Sequence, residues 1–331
     1  MRYYKNYICS KLNSIEKLTI KKIAQNKLNT GQVKVLTYAI GINYVDILMI
    51  RGIYQHKKEL PFIPGTEACG IIIEENCNKT CLIGKRVIIN SKGGCFSEII
   101  VTDLSNIFFP SKKLNSSQAA VFYNSALTAF VSLIETAKVK KQDTVLISGA
   151  SGGVGQAMIS LAKHKGLKII SLYSNNNKKQ FLTELGSDIV IKNNRNAIEK
   201  IKNLTEGSGV DVILDITGVL KYYNILRTLK WGGKYVIVGF MKNNITSIPT
   251  NYILIKGIKV FGIRAGEYLK KNKDRKKSIL KEIFSLSKKN VFTTKKINTF
   301  DFKHLKDGLK LLDERKVVGR IVITTDSYKD Y

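Results

Sequence analysis

Residues 146–156, LISGASGGVGQ, set four glycines and two serines directly behind a short apolar run. Such a stretch does its chemistry with backbone, because missing side chains let a ligand approach where a Cβ would block it. Ala150-x-Gly152-x-x-Gly155 follows the dinucleotide fingerprint with alanine in place of its first glycine. In that reading Gly152 admits a pyrophosphate to the backbone, with Gly153 and Val154 beside it, and Gly155 lets helix and strand pack closely. The phosphates then meet the free N–H groups of a helix N-terminus. A glycine-rich turn can also be purely structural, so the elements around it decide.

Residues 143–148 read as a turn and a buried strand, and 153–165 carry apolar residues at helical spacing. Further strands are expected at 167–174, 188–192, 210–215, 234–240 and 257–263, mostly with helical segments between them. That alternation predicts an α/β fold: a parallel, doubly wound sheet with right-handed crossovers. An NAD site usually ends its second strand in Asp or Glu, about 20 residues past the glycines, to hold the ribose 2′-hydroxyl. Here the strand runs into Ser174-Asn175-Asn176-Asn177-Lys178-Lys179, and no carboxylate appears before Glu184. Hydroxyl, amide and ammonium donors suit a 2′-phosphate, which a carboxylate would repel. NADPH is therefore the expected cofactor, with Ser174 and Lys178 at its 2′-phosphate.

At 331 residues, 44% hydrophobic and 24% charged, the chain can build two domains with their own cores. No apolar run approaches the ~20 residues of a membrane span. The first ten residues lack an apolar signal core, so a soluble cytoplasmic protein is expected. Cys9, Cys69, Cys77, Cys81 and Cys95 are an odd number in a chain too long to need stapling, which predicts reduced thiols. Cys77 and Cys81 stand four apart, but no second pair or nearby histidine completes a zinc site, and no metal is expected. A net charge of +30 could attract nucleic acid, an acidic membrane or an anionic substrate. The lysines are spread along the whole chain, and the densest run, 270–277, contains Asp274 and reads as a solvated segment. Without aromatic–basic interleaving, neither nucleic acid nor membrane is an expected partner.

The glycine turn lies mid-chain, so the first third must form something else. Residues 11–23 and 31–41 read as strands, the second with half-buried alternation, followed by 68–74, 87–90 and 96–102. Short, closely spaced strands predict a small barrel-like domain. Residues 117–138 read as one amphipathic helix with Ser116 or Ser117 as its cap. A helix at 304–314 and a strand at 317–324 are expected to return to the first domain.

AIGINYVDILMIRGIY (39–54), PGTEACGIIIE (64–74), GGCFSEIIV (93–101), the glycine turn, SNNNKKQFLTELGSD (174–188), GVDVILDITG (209–218) and LDERKVVGRIVI (312–323) together carry a family likeness. In order and spacing they resemble the zinc-free, zeta-crystallin-like quinone oxidoreductases of the medium-chain dehydrogenase/reductase superfamily. The resemblance implies a GroES-like β-barrel catalytic domain, at 1–122 and 265–331, and a Rossmann NADPH-binding domain at 123–264. The superfamily's zinc enzymes have a cysteine where Asn43-Tyr44-Val45-Asp46 stands and Gly-His-Glu where this chain has Gly65-Thr66-Glu67. Without those ligands, hydride transfer to a quinone or a related activated carbonyl or enone is implied in place of alcohol oxidation.

By the same resemblance Asn43 and Asp46 line the nicotinamide end of the site, and Gly152 and Gly153 meet the pyrophosphate. Thr217, Val238, Gly239, Phe240 and Arg264 flank nicotinamide and ribose, and Arg315 reaches the cofactor from the tail. Asn193 stands where the family often has a tyrosine near the adenosine. Tyr54, Tyr44 and Arg51 are the candidates for orienting or protonating the acceptor, Tyr54 foremost, since a phenol can donate to a developing oxyanion. A homodimer by sheet extension through 257–263 is also implied.

Other readings remain open on the residues. An enoyl-thioester reductase would use the same frame and need a proton at the α-carbon. A non-catalytic NADPH-sensing or RNA-binding protein has the net charge as its support. Tyr252-x-x-x-Lys256 and Tyr54-x-x-x-Lys58 mimic the short-chain dehydrogenase pair, but that fold begins at its glycine motif, which here starts at Gly149.

Overall fold

The computed structural model describes residues 3–24, 27–77, 81–219, 224–241, 245 and 247–329. The chain opens with strand β1 (Tyr3–Cys9) and its antiparallel partner β2 (Leu18–Ala24). The charged and polar opening residues thus form a strand, and only the second half of the strand expected at 11–23 is extended. A 3-10 turn capped by Ser14 occupies Ile15–Lys17. Then follow β3 (Gln32–Gly41), helix α1 (Tyr44–Ile50), β4 (Glu67–Asn76), β5 (Arg86–Asn90), β6 (Ile99–Asp103) and β7 (Ile107–Phe108).

The single helix expected at 117–138 is three pieces: α2 (Ser116–Ala119), α3 (Tyr123–Phe130) and a π-helical turn at Val131–Thr136. Its cap is Asn115, which accepts from the Gln118 N–H at 2.8 Å while Gln118 Oε1 accepts from the Asn115 N–H. The Ser116 and Ser117 hydroxyls are engaged instead by the Lys329 carbonyl and the Tyr328 hydroxyl.

Next come β8 (Thr144–Ile147), α4 (Gly153–His164), β9 (Lys168–Tyr173), α5 (Lys179–Leu185), β10 (Ile189–Lys192), α6 (Ala197–Leu204), β11 (Val210–Asp215), β12 (Leu229–Ile237), α7 (Thr250–Lys256), β13 (Lys259–Gly262), α8 (Ala265–Lys271) and α9 (Lys273–Lys288). Strands β8–β13 form a six-stranded parallel sheet in the order β10-β9-β8-β11-β12-β13, the doubly wound arrangement. Leu146, Ile170, Ile213 and Tyr235 from its strands pack with Ile201, Ile225 and Leu226 in one core.

The last elements are β14 (Ile297–Asp301), α10 (Leu305–Asp313) and β15 (Arg320–Thr324). They complete a seven-stranded sheet in the order β14-β15-β3-β4-β5-β7, with β6 also on β3; β14 and β15 run parallel and the other pairs antiparallel. Tyr7, Val35, Ile40, Ile47, Phe96, Leu309 and Ile323 share the core that this sheet wraps.

The chain thus divides into two compact units, Met1–Asn124 with Lys296–Tyr331, and Ser125–Lys295. Residues 265–295, which the sequence places with the barrel, group with the parallel sheet. Glu135 accepts from the Tyr268 hydroxyl at 3.0 Å and pairs with Arg275 at 2.7 Å, and Ile279, Ile283 and Leu286 of α9 are buried.

Candidate functional site

The glycine turn lies between β8 and α4, with Gly152 as the extended N-cap of a twelve-residue helix. Two glycines there are dictated by close approach. Gly149 has φ +64 and a Cβ on it would lie 2.8 Å from Thr217 Cγ2. A Cβ on Gly155 would lie 2.5 Å from the Cα of Ala150 and the carbonyl oxygen of Gly149, so α4 rests directly on the turn. By contrast, a Cβ at Gly152 would meet only the Gly149 carbonyl oxygen, at 3.5 Å, which leaves that backbone open to a ligand. No acidic residue occupies the first turn of α4, which leaves its N-terminus favourable to an anion, while Lys163 and His164 complement the opposite end of the helix.

The sequence-predicted cofactor residues of this unit gather at the carboxyl edge of the parallel sheet. Gly152, Gly153 and Val154 follow β8, and Ser174 follows β9, exposed. Lys178 lies in a 3-10 turn and is buried. Thr217 follows β11, Val238, Gly239 and Phe240 follow β12, and Arg264 caps α8 after β13. Asn193 follows β10, its N–H donating to the Tyr173 carbonyl at 2.7 Å. The reversal of strand order falls between β8 and β11, the place where open α/β sheets bind ligands.

In the barrel unit, Asn43 and Asp46 come together at the start of α1, where Asp46 Oδ2 accepts from the Asn43 N–H at 2.8 Å. Around them stands a buried polar cluster that sequence reasoning missed. Asn43 donates to Glu67 Oε2 at 3.2 Å and Thr66 Oγ1 at 3.4 Å, and its Oδ1 accepts from Arg320 Nη2 at 2.9 Å. Arg320 and Glu67 approach to 3.8 Å, and Glu67 also accepts from the Asn124 N–H and side-chain amide. Burial raises the Asp46 carboxyl to about 7, only partly opposed by the Asn43 N–H, and burial also raises Glu67. Burial, with Asp46 and Glu67 adding, pushes the Cys95 thiol well up. Both members of the Arg320–Glu67 pair lie in strand-like segments, where residue type alone does not announce a buried ion pair.

Other predicted residues lie apart from this cluster. Tyr54 is half-buried, its N–H on the Leu48 carbonyl and its ring edge-on to His56 at 5.8 Å; no hydrogen bond links it to Asn43 or Asp46. Tyr44 begins α1. Arg51 is taken up by a bidentate pair with Asp313 at 3.0 and 2.8 Å. Arg315 sits in the turn after α10 with φ +61. Lys256 of the Tyr252/Lys256 pair donates to the carbonyls of Arg227 and Leu229.

Residues 29–108 match the family described as alcohol dehydrogenase GroES-like domain, and 153–284 match zinc-binding dehydrogenase. A quinone oxidoreductase-like protein 2 homolog of Nematostella vectensis is 30% identical over 328 residues, 97% of this chain and 89% of that protein. This chain belongs to the quinone oxidoreductase-like family of the medium-chain dehydrogenase/reductase superfamily. As a family member it is an oxidoreductase with a GroES-like domain and a Rossmann-type parallel sheet. Structural likeness agrees on the fold. A quinone oxidoreductase of Pseudomonas syringae superposes with a TM-score of 0.87 at 22% identity, covering 97% of this chain and 99% of that one. The enoyl reductase CurK superposes at 0.85 and 22%, covering 98% and 99%. A mycobacterial protein complexed with NADPH superposes at 0.87 and 21%, covering 97% and 99%.

Zinc, named in one of those family descriptions, does not fit the donors of this oxidoreductase. The segments that the resemblance sets against zinc ligands hold the Asn43 amide and the Thr66 hydroxyl, Glu67 faces Arg320, and the nearby Cys95 is held in its thiol form by burial. Among the described residues no group of three or more His, Cys, Asp or Glu is placed to hold a metal ion. Nor is any described helix long and apolar enough to cross a membrane.

Proposed function

We propose that this oxidoreductase transfers hydride from NADPH to a quinone or a related activated carbonyl or enone without zinc. The observation that carries the reading is the carboxyl edge of the parallel sheet, where the open N-terminus of α4 lies in one unit with Ser174 and Lys178 and no carboxylate ends β9. In this reading Gly152, Gly153 and Val154 hold the pyrophosphate, Ser174 and Lys178 donate to the 2′-phosphate, and Thr217, Val238, Gly239, Phe240 and Arg264 flank the ribose and nicotinamide. Once bound, the cofactor supplies the hydride. Asn43, its amide locked from both ends by Arg320 and Glu67, presents a fixed polar group at the nicotinamide end, with Asp46 behind it capping α1. Tyr54 is assigned the proton delivered to the oxyanion that hydride addition creates. Arg315 is assigned to the cofactor side. A homodimer through β13, an edge strand with one neighbour in its sheet, completes the reading.

The test is steady-state oxidation of NADPH by purified protein, with an aromatic quinone and a short enoyl-CoA offered in parallel and NADH as the cofactor control. Quinone reduction with NADPH and none with the thioester is the expected result. A saturated acyl-CoA product moves the protein to the enoyl-thioester reductases, and no turnover with tight NADPH binding moves it to a non-catalytic role. Light scattering checks the dimer, a monomer counting against it.

A further inference from the structure

Three loops at the carboxyl edge of the parallel sheet meet at one buried side chain to which the proposed mechanism gives no part. Asp215, the last residue of β11, is 1% exposed and is surrounded by donors. Its Oδ1 accepts from the Ser148 hydroxyl at 2.5 Å and from the N–H groups of Thr217 and Gly218 at 3.1 and 3.0 Å. Its Oδ2 accepts from the Tyr235 hydroxyl at 2.6 Å and the Val219 N–H at 2.9 Å. Its backbone carbonyl accepts from the Val238 N–H at 2.8 Å.

Those partners come from the loops that follow β8, β11 and β12 and, in Tyr235, from β12 itself. Ser148 immediately precedes the glycine turn, and its oxygen also accepts from the Thr217 hydroxyl at 3.1 Å and the Ile216 N–H at 3.0 Å. Thr217 then packs against Gly149 so closely that any side chain there would collide with it. Val238 opens the loop after β12. The Ser148–Asp215 bond therefore bridges β8 and β11 at the reversal of strand order.

We propose that Asp215 is a positioning residue for the dinucleotide. It ties the loops after β8, β11 and β12 at the spacing that the pyrophosphate and nicotinamide halves require, without touching the ligand. The inference rests on the nicotinamide reading of this unit. A carboxylate is needed because each of its oxygens accepts from a backbone N–H, which cannot reverse its role as a hydroxyl can; an isosteric amide would turn its own N–H₂ against at least one of those N–H groups and leave it unsatisfied. The 216–219 loop would then lose its anchor and Thr217 its seat on Gly149. The 2′-phosphate end, built from the loop after β9, shares none of these bonds.

The experiment is calorimetric titration of the full chain and its Asp215→Asn variant with two ligands. NADPH spans the whole site, whereas adenosine 2′,5′-bisphosphate ends at the first phosphate. The expected result is an NADPH Kd raised about tenfold or more, with the bisphosphate Kd changed less than about twofold. Ser148→Ala and Tyr235→Phe, which each remove one donor, are expected to show the same split more weakly, and they carry the test if Asp215→Asn does not fold. Equal weakening of both ligands, or no change in either, overturns the positioning role. A wild-type chain that binds neither ligand overturns instead the nicotinamide reading beneath it.

Discussion

Arg320 donates through Nη2 to Oδ1 of Asn43 at 2.9 Å, and both side chains are buried. The guanidinium therefore serves two partners, since Glu67 lies 3.8 Å away and receives the other end of the same amide. Arg320→Met leaves Glu67 buried without its cation and is expected to lower stability by about 3–5 kcal/mol, read from urea unfolding. Adding Glu67→Gln should recover part of that loss. A double variant as unstable as the sum of the two single changes would show that the pair is not coupled.

The second prediction concerns pH. Burial raises Asp46 to about 7 in the folded protein, whereas an unfolded aspartate titrates near 4. The folded state thus holds the proton more tightly. The stability from this group is full below about pH 4 and is lost as pH rises toward 7, by about 4 kcal/mol at most. Glu67, Arg320, Cys95 and the Thr66 hydroxyl are the charged and polar groups that face it, and the Asn43 N–H donates to its Oδ2 at 2.8 Å. Asp46→Asn keeps an acceptor for the Asn43 N–H. It is expected to flatten the decline in unfolding free energy across that window.

Gly155→Ala tests the seat of α4. The added methyl would lie 2.5 Å from Ala150 Cα, a backbone atom that cannot swing aside. A loss of about 1–3 kcal/mol with weaker NADPH binding is expected. Gly152→Ala, where a methyl would meet only the Gly149 carbonyl oxygen at 3.5 Å, should cost less in stability than in affinity.

Cofactor choice is assigned to the loop after β9. Ser174→Asp puts a carboxylate where the 2′-phosphate is expected, and it should lower the ratio of NADPH to NADH affinity about tenfold or more. Lys178→Ala should act in the same direction. An unchanged ratio in both variants would refute the assignment.

For the acceptor, Tyr54→Phe is expected to slow reduction of an enone about tenfold or more at saturating NADPH, without raising the NADPH KM. Full activity with every acceptor would exclude a proton-donor role.

Much of this was legible before any coordinates. The 2-residue and 3.6-residue periods are local, so β3, β8, β11 and α4 stand close to where the apolar pattern places them. The glycine turn and the missing carboxylate after β9 are local as well. Less legible was the region 115–138, where Asn115 takes the cap and a π-helical turn interrupts a continuous amphipathic pattern. The Ser116 and Ser117 hydroxyls had a competing use in the chain's last residues, more than two hundred positions away.

By itself, then, the sequence determined the alternation of strands and helices around the glycine turn and the family, because each is carried by neighbours in the chain or by motifs in series. Tertiary structure alone decided which polar residues would work together. Asn43 meets Arg320 across 277 positions, and Ser148 meets Asp215 across 67. An arginine or aspartate in a strand reads as surface until packing removes its water, and only then does its partner become obligatory.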